Sequence, residues 1–195
     1  MPRDTPPFRA DHVGSLLRPP TLLQARADHE TGAIDDAELR SAEDEAIREA
    51  VALQRDAGLQ SATDGEFRRA SWHMDFIYRL DGIAKAADDM KIQFKNAGGG
   101  MDFTPAALKV EGPIGLSETI FGDDFSFLAE TAEGVTPKLT IPSPSMVHYR
   151  GGAAAIDPDV YADTEAFWGD LTAAYRQEIA RIHDLGCTYL QLDDT

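Results

Sequence analysis

Two stretches of the chain repeat one unit: a long amphipathic helix, a glycine, a short apolar segment, then acidic residues. The first reads Gly58-Leu59-Gln60-Ser61-Ala62-Thr63-Asp64-Gly65-Glu66. The second reads Gly186-Cys187-Thr188-Tyr189-Leu190-Gln191-Leu192-Asp193-Asp194, just before Thr195. A glycine placed after a helix serves the left-handed residue that ends it. An apolar run that follows and stops at acids is a strand with a polar carboxyl end. In α/β folds ligands bind beyond those ends, so the repeated unit predicts both a fold class and the place of a polar site.

The helix of the first unit spans about 36–57 by the spacing of Leu39, Ala42, Ala46, Ala50, Leu53 and Ala57, widened by Ile47 and Val51. Asp35 is its expected N-cap, with Glu38 at N3 as in a capping box and Ile34 and Leu39 at the staple positions. The helix of the second unit spans about 164–185, with Phe167, Leu171, Ala174, Tyr175, Ile182 and Leu185 as its buried stripe. Between and before these units lie further candidate elements. A strand is expected over Phe8 to Val13, ended by Gly14-Ser15, and a helix near 21–30 after Arg18-Pro19-Pro20. Residues 67–80 read as a basic, then aromatic loop leading into a helix, and 81–105 are poorly periodic, with Gly98-Gly99-Gly100 as a loop or hairpin tip. Leu108-Lys109-Val110-Glu111 reads as a strand stopped by Gly112-Pro113, 123–132 as a helix, and Lys138-Leu139-Thr140-Ile141 as a strand ending at Pro142-Ser143-Pro144-Ser145. Residues 151–159 read as loop and 188–192 as the last strand.

Strands alternating with helices imply a parallel sheet with right-handed crossovers, of about five strands. Such a sheet is either open and doubly wound or the first part of a (β/α)8 barrel, which needs about 250 residues when complete. No G-x-G-x-x-G or G-x-x-x-x-G-K-[ST] run follows any strand. Polar groups at several strand ends, Ser15, Glu66, Ser143 and Asp193, suit the single mouth of a barrel. The chain is therefore read as α/β, a TIM barrel of which residues 1–195 supply about the first five βα units as one domain.

Composition narrows the function classes. The 34 acidic residues outnumber 18 basic ones, for a formal charge of −16, which speaks against nucleic acid and anionic membrane surfaces. No apolar run approaches the roughly 18–20 residues of a membrane span, and the first residues lack the apolar core of a secretion signal. With a single cysteine there is no intrachain disulfide framework, and the expectation is a cytoplasmic protein.

Three motifs carry a family resemblance. Arg9-Ala10-Asp11-His12-Val13-Gly14-Ser15-Leu16-Leu17-Arg18-Pro19 resembles the opening of the catalytic barrel of cobalamin-independent methionine synthases. Asp64-Gly65-Glu66-Phe67-Arg68-Arg69 resembles that family's Gly-Glu-Phe motif after the second strand, and Tyr189-Leu190-Gln191-Leu192-Asp193-Asp194 its Gln-Ile-Asp-Glu-Pro motif after the fifth. The match is nearest to the short, single-barrel members. It implies transfer of a methyl or related alkyl group from a folate-type donor to a zinc-activated thiol such as homocysteine, a step of methionine biosynthesis. It further implies that Ser15, Glu66 and Asp193 hold the amino-acid substrate. The chemistry agrees, since carboxylates bind an ammonium and a hydroxyl with backbone N–H groups holds a carboxylate.

The resemblance also implies zinc, which keeps the thiol as a thiolate. The family's ligands come from strands after the fifth, hence beyond Thr195. No metal ligand is assigned within the chain, and Cys187 is expected on the strand face opposite the mouth. Asp194 and Thr195 stand where the synthase pattern has Glu and Pro. No catalytic residue is assigned.

His12 is read either as a polar contact in the mouth or as a hydrogen-bonded core histidine. Arg18 is read as meeting a carboxylate or phosphate, or else a surface acid. Trp72 and His73 are read as lining a flat substrate, or as loop packing. Asp64 is a secondary acid or a turn residue, and no short spacing supports a zinc site from His12, His73 and Glu66. The expected partners are a thiol substrate, a methyl donor and another copy of the chain through an open barrel edge. Two other readings stay open: a uroporphyrinogen-decarboxylase-like enzyme without zinc, using Arg18, Arg68 and Arg69 on substrate carboxylates, and a non-catalytic fragment or binding module.

Overall fold

The computed structural model describes residues 5–86, 92–96, 99–103, 107–149 and 152–194. Its elements in chain order are α1 (Pro20–Glu30), α2 (Asp36–Asp56), β1 (Ser61–Ala62), α3 (Met74–Ile77), β2 (Asp81–Ala86), β3 (Ile92–Asn96), β4 (Gly99–Phe103), β5 (Ala107–Gly115), α4 (Gly122–Thr131), β6 (Thr136–Pro137), β7 (Leu139–Pro142), α5 (Ser145–Tyr149), α6 (Thr164–Asp184) and β8 (Leu190–Asp193). They group into two compact units.

The first unit holds residues 5–72, 121–141 and 180–193. Here α2 begins as expected: the Asp35 carboxylate accepts from Glu38 N at 2.9 Å, and the Glu38 carboxylate accepts from Asp35 N at 3.0 Å. Gly58, at φ +86, ends it. The core gathers Leu22 of α1, Ala46, Ile47, Ala50 and Val51 of α2, Ala62 of β1, and Phe67, Leu128 and Ala132. The buried face of α2 is rotated from the expected stripe. Leu53 is exposed, whereas Glu43 and Gln54 are buried. Gln54 lies inside because its amide is fully used. It accepts from Thr63 N at 2.9 Å and donates to Ala50 O and Thr63 O at 3.0 and 2.9 Å. A polar side chain that bonds the neighbouring strand end outcompetes an apolar one that bonds nothing.

β1 runs parallel to β6, Ser61 beside Thr136 and Ala62 beside Pro137, and β7 pairs with β8. The expected strand over Phe8 to Val13 does not form. Its place is taken by one parallel bridge from Ser15 to Gly65, with Leu16 N donating to Gly65 O at 3.1 Å. The segment is tied down by side chains instead. Thr63 Oγ1 donates to Gly14 O at 2.6 Å and Lys138 Nζ to His12 O at 2.5 Å. These donors occupy carbonyls that a strand ladder would otherwise use.

The second unit holds residues 73–86, 92–96, 99–103, 107–120, 142–149, 152–179 and 194. It departs most from the all-parallel expectation. β2 pairs antiparallel with β5, and β3 antiparallel with β4. In the poorly periodic stretch β3 and β4 form a hairpin with Asn96 beside Gly99. Gly99 and Gly100 thus belong to β4, while Gly98 lies outside the described residues. β5 does not stop at Gly112-Pro113 but runs on to Gly115, because the register shifts there opposite Gly82. A bulge is where a strand tolerates proline. Gly82 sits at φ +79, and a Cβ on it would lie 2.4 Å from Gly112 O. In α6 the expected residues Phe167, Leu171, Ala174 and Tyr175 are buried, along with Glu178. The expected Leu185, which falls in the first unit after the helix, is 45% exposed. Tyr161 links β5 to α6: its hydroxyl accepts from Ile114 N and donates to Asp170, both at 2.7 Å.

Candidate functional site

The carboxyl end of β1 leads into a tight turn, Thr63-Asp64-Gly65-Glu66. Asp64 is the turn residue of the two expected alternatives, since its carboxylate accepts from Glu66 N at 2.9 Å. Gly65 has φ +67, and Glu66 has φ +58, a left-handed backbone that glutamate rarely takes. Such a residue persists only where its surroundings hold it, and these conformations cluster at functional sites.

The surroundings of Glu66 are specific. Its Oε1 accepts from Thr140 Oγ1 of β7 at 3.0 Å and lies 3.7 Å from Arg69 Nη1. Arg69, 4% exposed, donates to Thr140 O at 2.8 Å and to Trp72 O at 3.4 Å, and rests 4.2 Å from the centre of the Phe121 ring. Gly14 closes the other side. A Cβ there would sit 2.5 Å from Thr140 Cγ2 and 3.3 Å from Glu66 Oε1. Burial raises the Glu66 carboxyl above its ordinary value, and the nearby charges of Asp64 and Asp193 add to this. Arg69 and the Thr140 hydrogen bond oppose the rise without cancelling it.

Three of the expected residues are thereby brought together in the first unit. Ser15 bridges to Gly65, next to Glu66. Asp193, at the end of β8, is half-buried, takes a hydrogen bond from the Gln191 amide, and acts electrostatically on Glu66. Ser15 is exposed, whereas Glu66 is 5% exposed.

The other expected residues take different places. His12 Nε2 lies 2.8 Å from Gln54 Oε1, an oxygen that already accepts from Thr63 N. An amide oxygen cannot donate, so the bond is donated by His12 Nε2. Nδ1 is buried without a hydrogen-bond partner. Arg18 turns to the backbone. It donates to the carbonyls of Glu66 at 2.8 Å, Phe67 at 3.4 Å and Arg69. Trp72 is half-buried, with its carbonyl on Arg69. His73 belongs to the second unit, where it is buried and opens α3 by accepting from Ile77 N at 3.0 Å. Asp194 also lies in the second unit, accepting from Ser143 at 2.9 Å and Ser145 at 2.5 Å. The Ser145 and Ser143 hydroxyls hold its carboxyl below the usual range.

The site is supported by residues outside the expected set: Thr140, Gln54, and the node formed by Asp11, Lys138 and Tyr189. Lys138 is 1% exposed and donates to Asp11 Oδ2 at 2.9 Å, and the Tyr189 hydroxyl donates to the same oxygen. Burial pushes Asp11 up, but the bonds from Tyr189 and Lys138 bring it below its ordinary value. Burial and the Asp11 carboxylate push Tyr189 up to about 12. A lysine at the start of an apolar strand was the one sequence signal for this node.

Among the described residues no group of three His, Cys, Asp or Glu side chains could hold a metal ion. Cys187 is buried, its thiol pushed up by that burial and directed to Tyr189 O at 3.5 Å. The zinc that the sequence resemblance implies therefore does not fit the described residues. Nor is any described helix long and apolar enough to cross a membrane.

The chain is 42% identical over 196 residues to the uncharacterized protein YxjG of Bacillus subtilis, matching all of this chain and 50% of that protein. It is 25% identical over 182 residues to a methionine synthase of Sulfolobus acidocaldarius, matching 93% of this chain and 50% of that one. A crystal structure from Listeria monocytogenes, described as a candidate vitamin-B12-independent methionine synthase, superposes with a TM-score of 0.78 at 41% identity. It covers 97% of this chain and 52% of the other. Over nearly its whole length the chain is thus similar to proteins of the cobalamin-independent methionine-synthase-like family. Its fold is accordingly part of the α/β TIM barrel of that family, and it spans about half the length of the relatives it matches. No family model matches it. The antiparallel β2–β5 and β3–β4 pairs are β structure that its methionine-synthase-like fold carries besides the parallel β1–β6 pair.

Proposed function

We propose that this chain carries the substrate-holding residues of a methyltransferase-like protein that moves a methyl or related alkyl group from a folate-type donor to an activated thiol such as homocysteine. Glu66 and Asp193 take the ammonium of the thiol amino acid, and Ser15 takes part in holding its carboxylate. The observation that carries this reading is the posture of Glu66: left-handed, buried, and held from behind by Thr140 and Arg69 while Asp193 acts on it from β8. An ammonium arriving there gains two carboxylates at once, and it draws the raised Glu66 carboxyl into its ionised form. His12 Nδ1, buried without a hydrogen-bond partner, supports a further polar contact. Trp72 is proposed for the flat face of the donor.

Among the described residues no set of side chains is suited to hold zinc. A decarboxylase-like reading would need arginines open to substrate carboxylates. The described bonds engage all three candidates within the protein. Arg18 serves carbonyls, Arg69 serves Glu66 and Thr140, and Arg68 serves Asp44, with Glu43 and Asp124 at 3.8 and 3.4 Å. Methyl transfer is thus the better supported of the two.

Calorimetric titration with L-homocysteine tests the reading. The wild-type chain binds, and Glu66→Gln and Asp193→Asn each weaken binding by roughly tenfold or more, as expected for loss of a charge-assisted hydrogen bond. Equal affinities across wild type and both variants would remove the carboxylate pair from the site.

A further inference from the structure

Arg18 has an unusual set of partners for a half-buried cation. Its Nη2 donates to Glu66 O at 2.8 Å and to Arg69 O, and its Nε donates to Phe67 O at 3.4 Å. Arg26 Nη1 reinforces the same stretch by donating to Phe67 O at 2.9 Å. These carbonyls belong to the turn that carries Glu66, in which Gly65 and Glu66 are successively left-handed. Glu66 is the one non-glycine residue with positive φ among the described residues. Its own amide is held by Asp64 at 2.9 Å, and its carbonyl also accepts from Arg69 N at 3.1 Å.

A left-handed glutamate reverts to an ordinary conformation unless something binds the turn in that shape. A guanidinium is suited to the task, since its planar fork presents several fixed donors and stays charged. Hydrogen bonds from a cation to carbonyl oxygens exceed neutral ones in strength. Arg18 lies 48 residues from Glu66 in sequence, on the segment that also carries His12 and Ser15, so it couples the two motifs at the site.

We propose that Arg18 is a positioning residue for Glu66: by gathering the carbonyls of Glu66, Phe67 and Arg69 onto one guanidinium, it locks the left-handed turn and so aims the Glu66 carboxyl at Thr140, Arg69 and the incoming substrate. The functional half of this statement rests on the proposed role of Glu66 in binding an amino acid; the structural half does not.

Two readouts on the 195-residue chain separate them. The first is an NMR titration of the Glu66 side-chain carboxyl, and the second is calorimetry with L-homocysteine. In Arg18→Met the turn relaxes. The Glu66 midpoint then falls from its raised position toward 4.5, and homocysteine binds roughly tenfold to a hundredfold more weakly. Arg18→Lys, a single-point donor, falls between the two. A folded Arg18→Met chain with an unmoved Glu66 midpoint overturns the proposal, even if wild type binds homocysteine. A wild type that does not bind homocysteine, with a midpoint that moves in Arg18→Met, overturns the binding role of Glu66 and leaves the positioning role standing. Should Arg18→Met fail to fold, Arg18→Lys carries the same test: a smaller move in the same direction supports the lock, and no move overturns it.

Discussion

Glu66 concentrates the physical tension of the molecule in one side chain. Its backbone is left-handed, its carboxyl is buried, and two further acids act on it. Each of these is costly in isolation, and each is offset by a named group: Arg18 at the backbone, Thr140 and Arg69 at the carboxyl. The carboxyl is raised above 4.5 in the folded state, so the folded chain binds this proton more tightly than the unfolded one. The stability linked to that proton is complete below 4.5 and is lost as pH rises through the higher folded value. Glu66→Gln does not titrate. The stability of wild type relative to Glu66→Gln should therefore decline as pH rises above 4.5, read from denaturant midpoints of both chains at matched pH. A difference that is flat with pH, or that grows, contradicts the buried environment assigned to Glu66. The sequence could mark Glu66 as an acid at a strand end. It could not show the left-handed turn, because glutamate has no preference for one. The bonds of Arg18 were equally hidden, since they run to backbone carbonyls 48 to 51 residues away, which carry no side-chain signature.

The elements best read from sequence are those whose determinants are local. α2 starts at a capping box and ends at a glycine, and both signals act within a few residues of the boundary they set. Asp35→Ala removes the cap and should cost about 1 kcal/mol. It should appear as a lower urea midpoint with an unchanged denaturant slope, while a midpoint equal to wild type would show that the cap contributes nothing. The elements least well read depend on distant partners. β2 and β5 lie 21 residues apart in chain order from Ala86 to Ala107, and their pairing leaves no periodic trace in a stretch rich in glycine and charge. Gly112-Pro113 signals a stop in an ideal strand, yet a bulge opposite Gly82 absorbs both residues. The Phe8–Val13 segment shows the reverse case. Its composition suits a strand, but the segment is held by Lys138 at the His12 carbonyl and by Tyr189 at the Asp11 carboxylate, with Thr63 bonding Gly14 just after it.

At the scale of the whole molecule, two compact units, each with its own buried set, build about half of the methionine-synthase-like proteins it matches. The first unit carries Ser15, Glu66 and Asp193, and the described residues offer no metal-ligand group. On the proposed reading this half recognises the amino-acid end of a thiol substrate. That recognition requires an ammonium on the ligand, and the requirement must pass through Glu66. The most direct measurement is a calorimetric comparison of L-homocysteine with 4-mercaptobutyrate, which keeps the thiol and carboxylate but lacks the amine, on wild type and on Glu66→Gln. Wild type is expected to prefer homocysteine by roughly tenfold or more, and Glu66→Gln to lose most of that preference. Equal binding of the two ligands by wild type, or an undiminished preference in Glu66→Gln, would contradict that expectation.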